Sequence, residues 1–400
     1  MPKTIDAVLR HEGWRNRCVN LIASENVTSQ AVRTILASDL GHRYSLKGSI
    51  TKNNFYMGTT YIEEILDDGT ELAKRLFTAK HADLRPVSGH IASMAALMSL
   101  THEWDSILSL SLEDGGYPGY MQDFLPKRLN LHVHRIPFDH DKLRIDPDAC
   151  ADQIYSVKPS VVVIGQSIIL FPTPLRKIAK ACNDVNARLI YDGSHVLGLI
   201  AGKAFPNPLK EGANILLGST HKSFPGPQGG MVLTDEKHSS LSQYLPLRVI
   251  DNPHFNRIAA LAVAIEEMLK FGKQYARQVV ANAKTLARAL DKNGVEVIGK
   301  KYGFTETHQV LLKRFDNDYK FLKGLEAANI IADTALRFGT SEVTRRGMRQ
   351  NEMRYIAELI ASIYNARKTK SFKIRVGKVK KEIEDLATRY NRIAYAFNLN

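Results

Sequence analysis

From about residue 60 to residue 235 the chain alternates stretches of helical period with short β-branched or apolar runs. That alternation restricts its architecture more than any other feature. Apolar residues recur at helical spacing over Ile62–Phe77, where Ile62, Ile65, Leu66, Leu72, Ala73 and Leu76 share a face. Ser93–Leu100 and Thr173–Asn183 read as further helices. Between and after them, Ser106–Leu110, Val161–Ile164, Leu189–Tyr191, Asn214–Leu217 and Met231–Leu233 read as strands. Strands separated by helices build βαβ units, so a largely parallel sheet is expected. Two long helices, Arg257–Phe271 and Tyr275–Lys292, follow. Beyond Gly294 come short strands, Glu296–Ile298 and Gln309–Lys313, mixed with helices, and a final helix over Lys378–Phe397. The expected fold is α/β, with a mostly parallel central sheet in a large domain and a smaller α+β C-terminal domain. The boundaries that follow are an N-terminal arm over 1–25, a large domain over 26–255, and linking helices with the small domain over 256–400.

Length and composition remove several classes. Four hundred residues exceed one small module, and 44% hydrophobic with 24% charged residues is ordinary globular usage. Cys18, Cys150 and Cys182 are too few and too scattered for a disulfide framework or a Cys-rich metal site, which points to a reducing, cytoplasmic setting. No apolar leader or spanning stretch is visible. The most apolar run, Val161 to Phe171, is broken by Gly165-Gln166-Ser167, so no membrane partner is expected. The net charge of +14 is concentrated: Arg367 to Lys381 holds eight Lys/Arg and no acid. Without interleaved aromatics or an RNA-binding signature, that stretch reads as a solvated face, and a nucleic-acid partner is not expected. His132 and His134 read as strand residues with one face exposed, and no metal is implied.

In parallel α/β sheets, ligands sit beyond the carboxyl ends of the strands. Asp192-Gly193-Ser194-His195 follows one strand. Gly218-Ser219-Thr220-His221-Lys222 and then Pro225 to Gly230 follow the next. An acid and a lysine at successive strand ends suit pyridoxal 5′-phosphate: the carboxylate keeps the pyridine nitrogen protonated, and the lysine condenses with the aldehyde. His195 is placed to tune the ring. Ser88-Gly89-His90, directly before a helix, offers N–H groups and a hydroxyl to a phosphate. Singly, each piece is an ordinary turn, loop or cap. Their order at strand ends carries the reading.

These residues resemble the serine hydroxymethyltransferase family of fold-type I pyridoxal phosphate enzymes. Leu21-Ile22-Ala23-Ser24-Glu25-Asn26 is similar to its N-terminal signature, and Asp192 to Gly202, with Pro206-Asn207-Pro208 behind it, to its D-x-A-H-V block. Thr220-His221-Lys222-Ser223 through Gly230 is similar to its lysine block, and Arg337-Phe338-Gly339-Thr340 with Thr344-Arg345-Arg346-Gly347 to its late arginine block. The resemblance implies that Lys222 anchors the cofactor, Asp192 pairs with the pyridine nitrogen and His195 lies against the ring. It places Thr220 and His221 beside that lysine, Ser88, Gly89 and His90 on the phosphate, and Ser167 near the ring. Arg337, assisted by Ser24, binds the substrate carboxylate, a task suited to a planar guanidinium. Tyr44 and Tyr56 line the site, partly from a neighbouring subunit, in a homodimer with active sites at its interface.

The chain also departs from that pattern. No glutamate lies between Tyr44 and Tyr56, where the family carries an acid/base glutamate. Tyr117, after Gly115-Gly116, replaces a ring-stacking histidine. The glycine-rich loop that a partner lends to the phosphate is not recognisable around Ser239–His254, and only Asp333 to Leu336 separates Ala332 from Arg337, where a folate-contacting insertion is expected. The expected activity is making or breaking the Cα–Cβ bond of β-hydroxy amino acids. Glycine is product or substrate and an aldehyde the partner, without a requirement for tetrahydrofolate. Folate- or modified-pterin-dependent serine hydroxymethyl transfer is the alternative, and a non-catalytic nucleic-acid-binding relative a third reading. His90, His195, Tyr56 and Lys47 remain open as handlers of the β-hydroxyl proton.

Overall fold

The computed structural model describes residues 2–46, 53–235, 241 and 245–398. Lys47 and part of the Ser239–His254 stretch lie outside the described residues. The chain divides into two units: one holds residues 28–276 and 396–400, the other residues 1–27 and 277–395.

The larger unit is built on a seven-stranded sheet. In chain order its strands are β1 (His81–Asp83), β2 (Ser106–Ser109), β3 (His132–Arg135), β4 (Val161–Gly165), β5 (Arg188–Asp192), β6 (Ile215–Ser219) and β7 (Gly230–Thr234). Across the sheet the order is β1-β7-β6-β5-β4-β2-β3. The pairs among β3, β2, β4, β5 and β6 are parallel, while β7 runs antiparallel to both neighbours. Strands β4 and β6 are buried at every position. They carry continuous apolar runs because helices cover both faces of a parallel sheet. The outermost β3 has no buried residue, in keeping with an edge.

Helix α1 (Thr60–Phe77) buries Ile62, Ala73, Leu76 and Phe77. Helix α2 spans Gly89–Leu100. The expected start at Ser93 is four residues late, because the Ser88 hydroxyl accepts from Ile91 N at 3.1 Å and caps the helix there. Ala92, Ala96 and Leu97 of α2 join Ile190, Ile215, Leu217 and Val232 in one buried cluster. The expected pair of helices after residue 256 is a single helix, α3 (Phe255–Lys292). Gly272 costs about 1 kcal/mol in a helix interior relative to alanine. Gly202 packs closely against it: a Cβ on Gly202 would stand 2.3 Å from Gly272 O.

In the smaller unit, Val19–Asn20 pairs parallel with Ile330–Ile331, and Gln309–Leu311 antiparallel with Arg337–Gly339. The N-terminal residues, expected as a separate arm, join this unit through that pairing, and the division between units falls within α3, not at residue 256. The last helix, α4 (Phe372–Arg389), begins six residues before the expected Lys378 and ends eight before Phe397. Val379, Ile383, Leu386 and Ala387 form its buried face.

Candidate active site

Beyond the carboxyl ends of β4, β5 and β6 lies a cleft lined by Gly89, His90, Tyr117, Gln166, Ser167, Asp192, Ser194, His195, Ser219 and Lys222. It gathers seven of the residues expected from the sequence. Asp192, the last residue of β5, is buried, and its two oxygens take separate donors. Ser194 N donates to Oδ1 at 2.9 Å, and the Tyr120 hydroxyl to Oδ2 at 3.0 Å. The Tyr120 ring reaches there because residue 165 is glycine: an added Cβ would come within 2.6 Å of that ring and 3.3 Å of Asp192. Tyr120 also shares a 2.6 Å hydrogen bond with Ser93 on α2. Burial first, and then the Asp192 charge, hold the Tyr120 phenol well above its ordinary range, so it stays a donor.

The wall opposite is made by a glycine turn. Gly115 has φ +79°, and an added Cβ would stand 2.8 Å from Ile168 O. Ser167 N and Ile168 N both donate to Gly115 O, at 2.7 and 3.1 Å, and Tyr117 N donates to Gly165 O at 3.0 Å. These bonds deliver Tyr117 to the cleft, where its hydroxyl lies 3.0 Å from His90 Nδ1. Burial, followed by the Asp192 charge, raises the Tyr117 phenol as well.

The N-terminus of α2 packs against the ends of β6 and β7. A Cβ on Gly89 would stand 2.4 Å from Ser219 Oγ, and one on Gly230 would stand 2.3 Å from Ser88 O. Ser219 N in turn donates to Ser194 Oγ at 2.9 Å. The helix start, with its unspent N–H donors, is thereby set at the mouth of two strands.

Lys222 is the only lysine lining the cleft among the described residues. Its loop is closed on itself: Thr220 Oγ1 donates to Pro227 O at 2.6 Å and Thr220 N to Gly229 O at 3.0 Å. The Thr220 side chain is therefore committed to the turn, and it does not line the cleft. His221 is also outside the lining. Its Nδ1 is buried with no hydrogen-bond partner among the described residues. Burial, and secondarily the Lys222 charge, lower it to about 4, so the ring is neutral near pH 7.

Ser88 acts through the cap of α2 and does not line the cleft. Tyr44 and Tyr56 do not line it either. They pack together, ring centroids 5.5 Å apart, and are 46% and 37% exposed. Their segment is tied down by Asn54, which accepts from Leu46 N and Tyr56 N and donates to Ser45 Oγ and Glu63 Oε1. In the smaller unit, Ile22 bridges antiparallel to Phe338, which brings the Ser24 segment beside the Arg337 strand. Arg337 directs Nε and Nη2 at Asp333 Oδ2, at 2.9 and 2.8 Å.

Tyr120, Gln166, Ser194 and Ser219 were not picked out from the sequence. Gln166 Oε1 is buried without a partner among the described residues, and it lines the cleft. The break it makes in an apolar run, at the end of a strand, was its only signal.

The donor set fits pyridoxal phosphate. A carboxylate has about four acceptor positions, and Asp192 spends one on each of two donors, which leaves acceptors for a pyridinium N–H. A capped helix N-terminus suits the phosphate, and an amine lining the same cleft suits the aldehyde. Among the described residues no group of His, Cys, Asp or Glu suited to a metal ion occurs, and no helix is long and apolar enough to cross a membrane.

Residues 2–360 match the family described as serine hydroxymethyltransferase. The chain is 39% identical to the serine hydroxymethyltransferase of Methanopyrus kandleri, over 98% of this chain and 94% of the relative. It is also 39% identical to that of Archaeoglobus fulgidus, over 95% of this chain and 89% of the relative. Among solved structures, the L-threonine transaldolase of Pseudomonas fluorescens in its internal aldimine state superposes with a TM-score of 0.90 at 28% identity. That match covers 99% of this chain and 94% of the other.

Proposed function

The chain belongs to the serine hydroxymethyltransferase family and is a pyridoxal phosphate-dependent enzyme of the glycine hydroxymethyltransferase/aldolase type; from that premise we propose that it cleaves and forms the Cα–Cβ bond of β-hydroxy amino acids without requiring a folate. The observation that carries this reading is the joint lining of one cleft by Asp192 and Lys222.

When bound, pyridoxal phosphate supplies an electron sink for the pair left on Cα. The protein's part is to hold, orient and move protons. Lys222, which lines the cleft, would hold the cofactor through its Nζ. Asp192, steadied at Oδ2 by the Tyr120 hydroxyl, would keep a proton on the ring nitrogen. Gly89 and His90 present the α2 N-terminus to the phosphate, with Ser88 as its cap. Tyr117, which lines the cleft, would face the cofactor ring in place of a histidine. Arg337 takes the substrate carboxylate, as the family likeness implies, with Ser24 assisting. His90 and His195 are the bases that line the cleft, and the β-hydroxyl proton is assigned to this pair. His90 is the more exposed of the two. Tyr56, with Tyr44, belongs to an exposed aromatic pair suited to meeting a second subunit in a homodimer.

Loss of the acid/base glutamate and of the folate-contacting insertion weakens one-carbon transfer more than retro-aldol cleavage. The transaldolase likeness supports the same direction. The cofactor-loaded enzyme is expected to release acetaldehyde from threonine, or the matching aldehyde from another β-hydroxy amino acid, with no pterin added. Serine turnover stimulated by folate to rates far above the folate-free rate would overturn this. A modified-pterin-dependent hydroxymethyltransferase is the second reading, favoured by the names of the archaeal relatives. A pterin-binding titration separates the two.

A further inference from the structure

Directly before Gly115-Gly116 the chain buries a carboxylate: Asp114 is 3% exposed. Its Oδ2 accepts from the Ser111 hydroxyl at 2.7 Å and from Arg135 Nε at 3.0 Å, with Arg135 Nη2 2.9 Å away. Its Oδ1 lies 3.3 Å from His140 Nε2, out of line for a hydrogen bond. Arg135 ends β3, the outermost strand on that side of the sheet. Its other acid, Glu113, stands 4.0 Å off in solvent. Taking a carboxylate out of water is costly unless well-placed donors and a cation compensate it. A solvated Asn or Ser would close the same turn without that cost. The arrangement therefore fixes a geometry more than it adds stability.

The residues that follow need such fixing. Gly115 and Gly116 have no side chains to hold them and can take up more backbone conformations than any other residue. Their backbone contacts run to the residues of the cleft. Gly115 O accepts from Ser167 N at 2.7 Å, Gly116 bridges antiparallel to Gln166, and Tyr117 N donates to Gly165 O at 3.0 Å. A shift of the turn therefore moves Tyr117, Gln166 and Ser167 together, and all three line the cleft.

We infer that Asp114 is a positioning residue: Arg135 and Ser111 hold it at one end of the glycine turn, so that Tyr117, Gln166 and Ser167 keep their places at the other. Neither Asp114 nor Arg135 lines the cleft, so both act through the wall and not by contact. That this wall faces the cofactor rests on the proposed function; that the ion pair holds the wall does not. Arg135 brings two N–H groups of a rigid plane to one oxygen, which fixes direction as well as charge. A lysine in its place keeps only the charge.

The test compares wild type with Asp114→Asn, Arg135→Gln and Arg135→Lys. The Arg135 side chain is 54% exposed, so its variants fold even if Asp114→Asn does not. In the first arm, hydrogen exchange of the Tyr117, Ser167 and Ile168 amides is followed in cofactor-free protein, with the amides of β7 as reference. Arg135→Gln should speed the three by about tenfold or more relative to β7, the scale of losing a bond to a buried charge, and Arg135→Lys should fall between it and wild type. In the second arm, protein is titrated with pyridoxal phosphate, and the affinity and the visible circular dichroism of the bound cofactor are read. Affinity should fall about tenfold in Arg135→Gln and the dichroism should shrink, with both partly restored in Arg135→Lys. Wild-type exchange at the three amides overturns the inference. So does an equal rise at β7, or a loosened turn that leaves affinity and dichroism at their wild-type values; Asp114 is then only a tie at the sheet edge. A wild type that takes up no pyridoxal phosphate overturns the proposed function instead, and the exchange arm alone then decides whether the ion pair holds the wall.

Discussion

The Tyr120 hydroxyl donates to Asp192 Oδ2 at 3.0 Å from a residue 72 positions earlier in the chain, and both side chains are buried. Asp192 is thus steadied by a neutral donor that Gly165 makes room for. Tyr120→Phe removes the donor while keeping the ring. A hydrogen bond to a buried charged group contributes about 1.5–3 kcal/mol, so the cofactor-free protein should lose about that much stability. The check is the urea midpoint of variant and wild type. An unchanged midpoint would mean that water replaces the phenol without cost.

Gly89 stands where α2 meets β6, and its missing side chain is a packing requirement. A Cβ there would meet Ser219 Oγ at 2.4 Å and Ser219 N at 3.0 Å, and the second of these is backbone. Gly89→Ala should push the helix N-terminus away from the strand end. Overpacking of this kind costs about 1–3 kcal/mol. Affinity for pyridoxal phosphate should fall by about tenfold or more, with a smaller loss for pyridoxal, which lacks the phosphate. Equal losses for both compounds would move the phosphate away from this helix.

The catalytic reading predicts a covalent signature. Cofactor-loaded wild type treated with borohydride should carry the label on the peptide containing Lys222, and Lys222→Gln should carry none. Asp192→Asn should keep the fold, because Oδ1 still accepts from Ser194 N while the Tyr120 hydroxyl, which also bonds Ser93, can turn to accept from the new Nδ2. Its turnover should drop by at least about 100-fold, the scale of losing one preorganised electrostatic contact in an active site. Turnover of Asp192→Asn close to wild type would remove Asp192 from its assigned role.

How much of this was legible depends on how local each determinant is. The strands β4, β5 and β6 announce themselves as apolar runs, and the topology places Asp192, at the end of β5, and Lys222, just beyond β6, at the carboxyl edge of the sheet. The cap of α2 was only partly open to view: Ser88-Gly89-His90 could be read as preceding a helix, but the start was expected at Ser93, four residues past the cap. Tyr120 was not, because its partner is chosen by the clearance over Gly165, on a strand 45 residues downstream by the sequence numbering. The continuity of α3 through Gly272 was not legible either: local propensity argues for a break there, yet the helix runs on, with Gly202 packed closely against Gly272 O. Arg337 could be matched to a motif, but its engagement with Asp333, four residues earlier, follows only from how the intervening turn closes.

His221 supplies a pH dependence whose sign follows from its setting. Burial and the adjacent Lys222 charge lower its imidazole from the ordinary 6.5 to about 4. In the unfolded chain that ring takes up a proton near pH 6.5, while the folded protein does so only near pH 4. Between those values the unfolded state binds more protons, so stability should fall as the pH is lowered from 6.5 towards 4 and hold steady above 6.5. At about 1.4 kcal/mol per pH unit, the loss reaches at most about 3.5 kcal/mol, and solvent access to the partly exposed residue brings it below that. His221→Gln removes the titrating group, so its urea midpoint should change less than that of wild type across the interval. Parallel decline of the two proteins would assign the acid sensitivity to other groups and leave the buried ring at position 221 without a part in it.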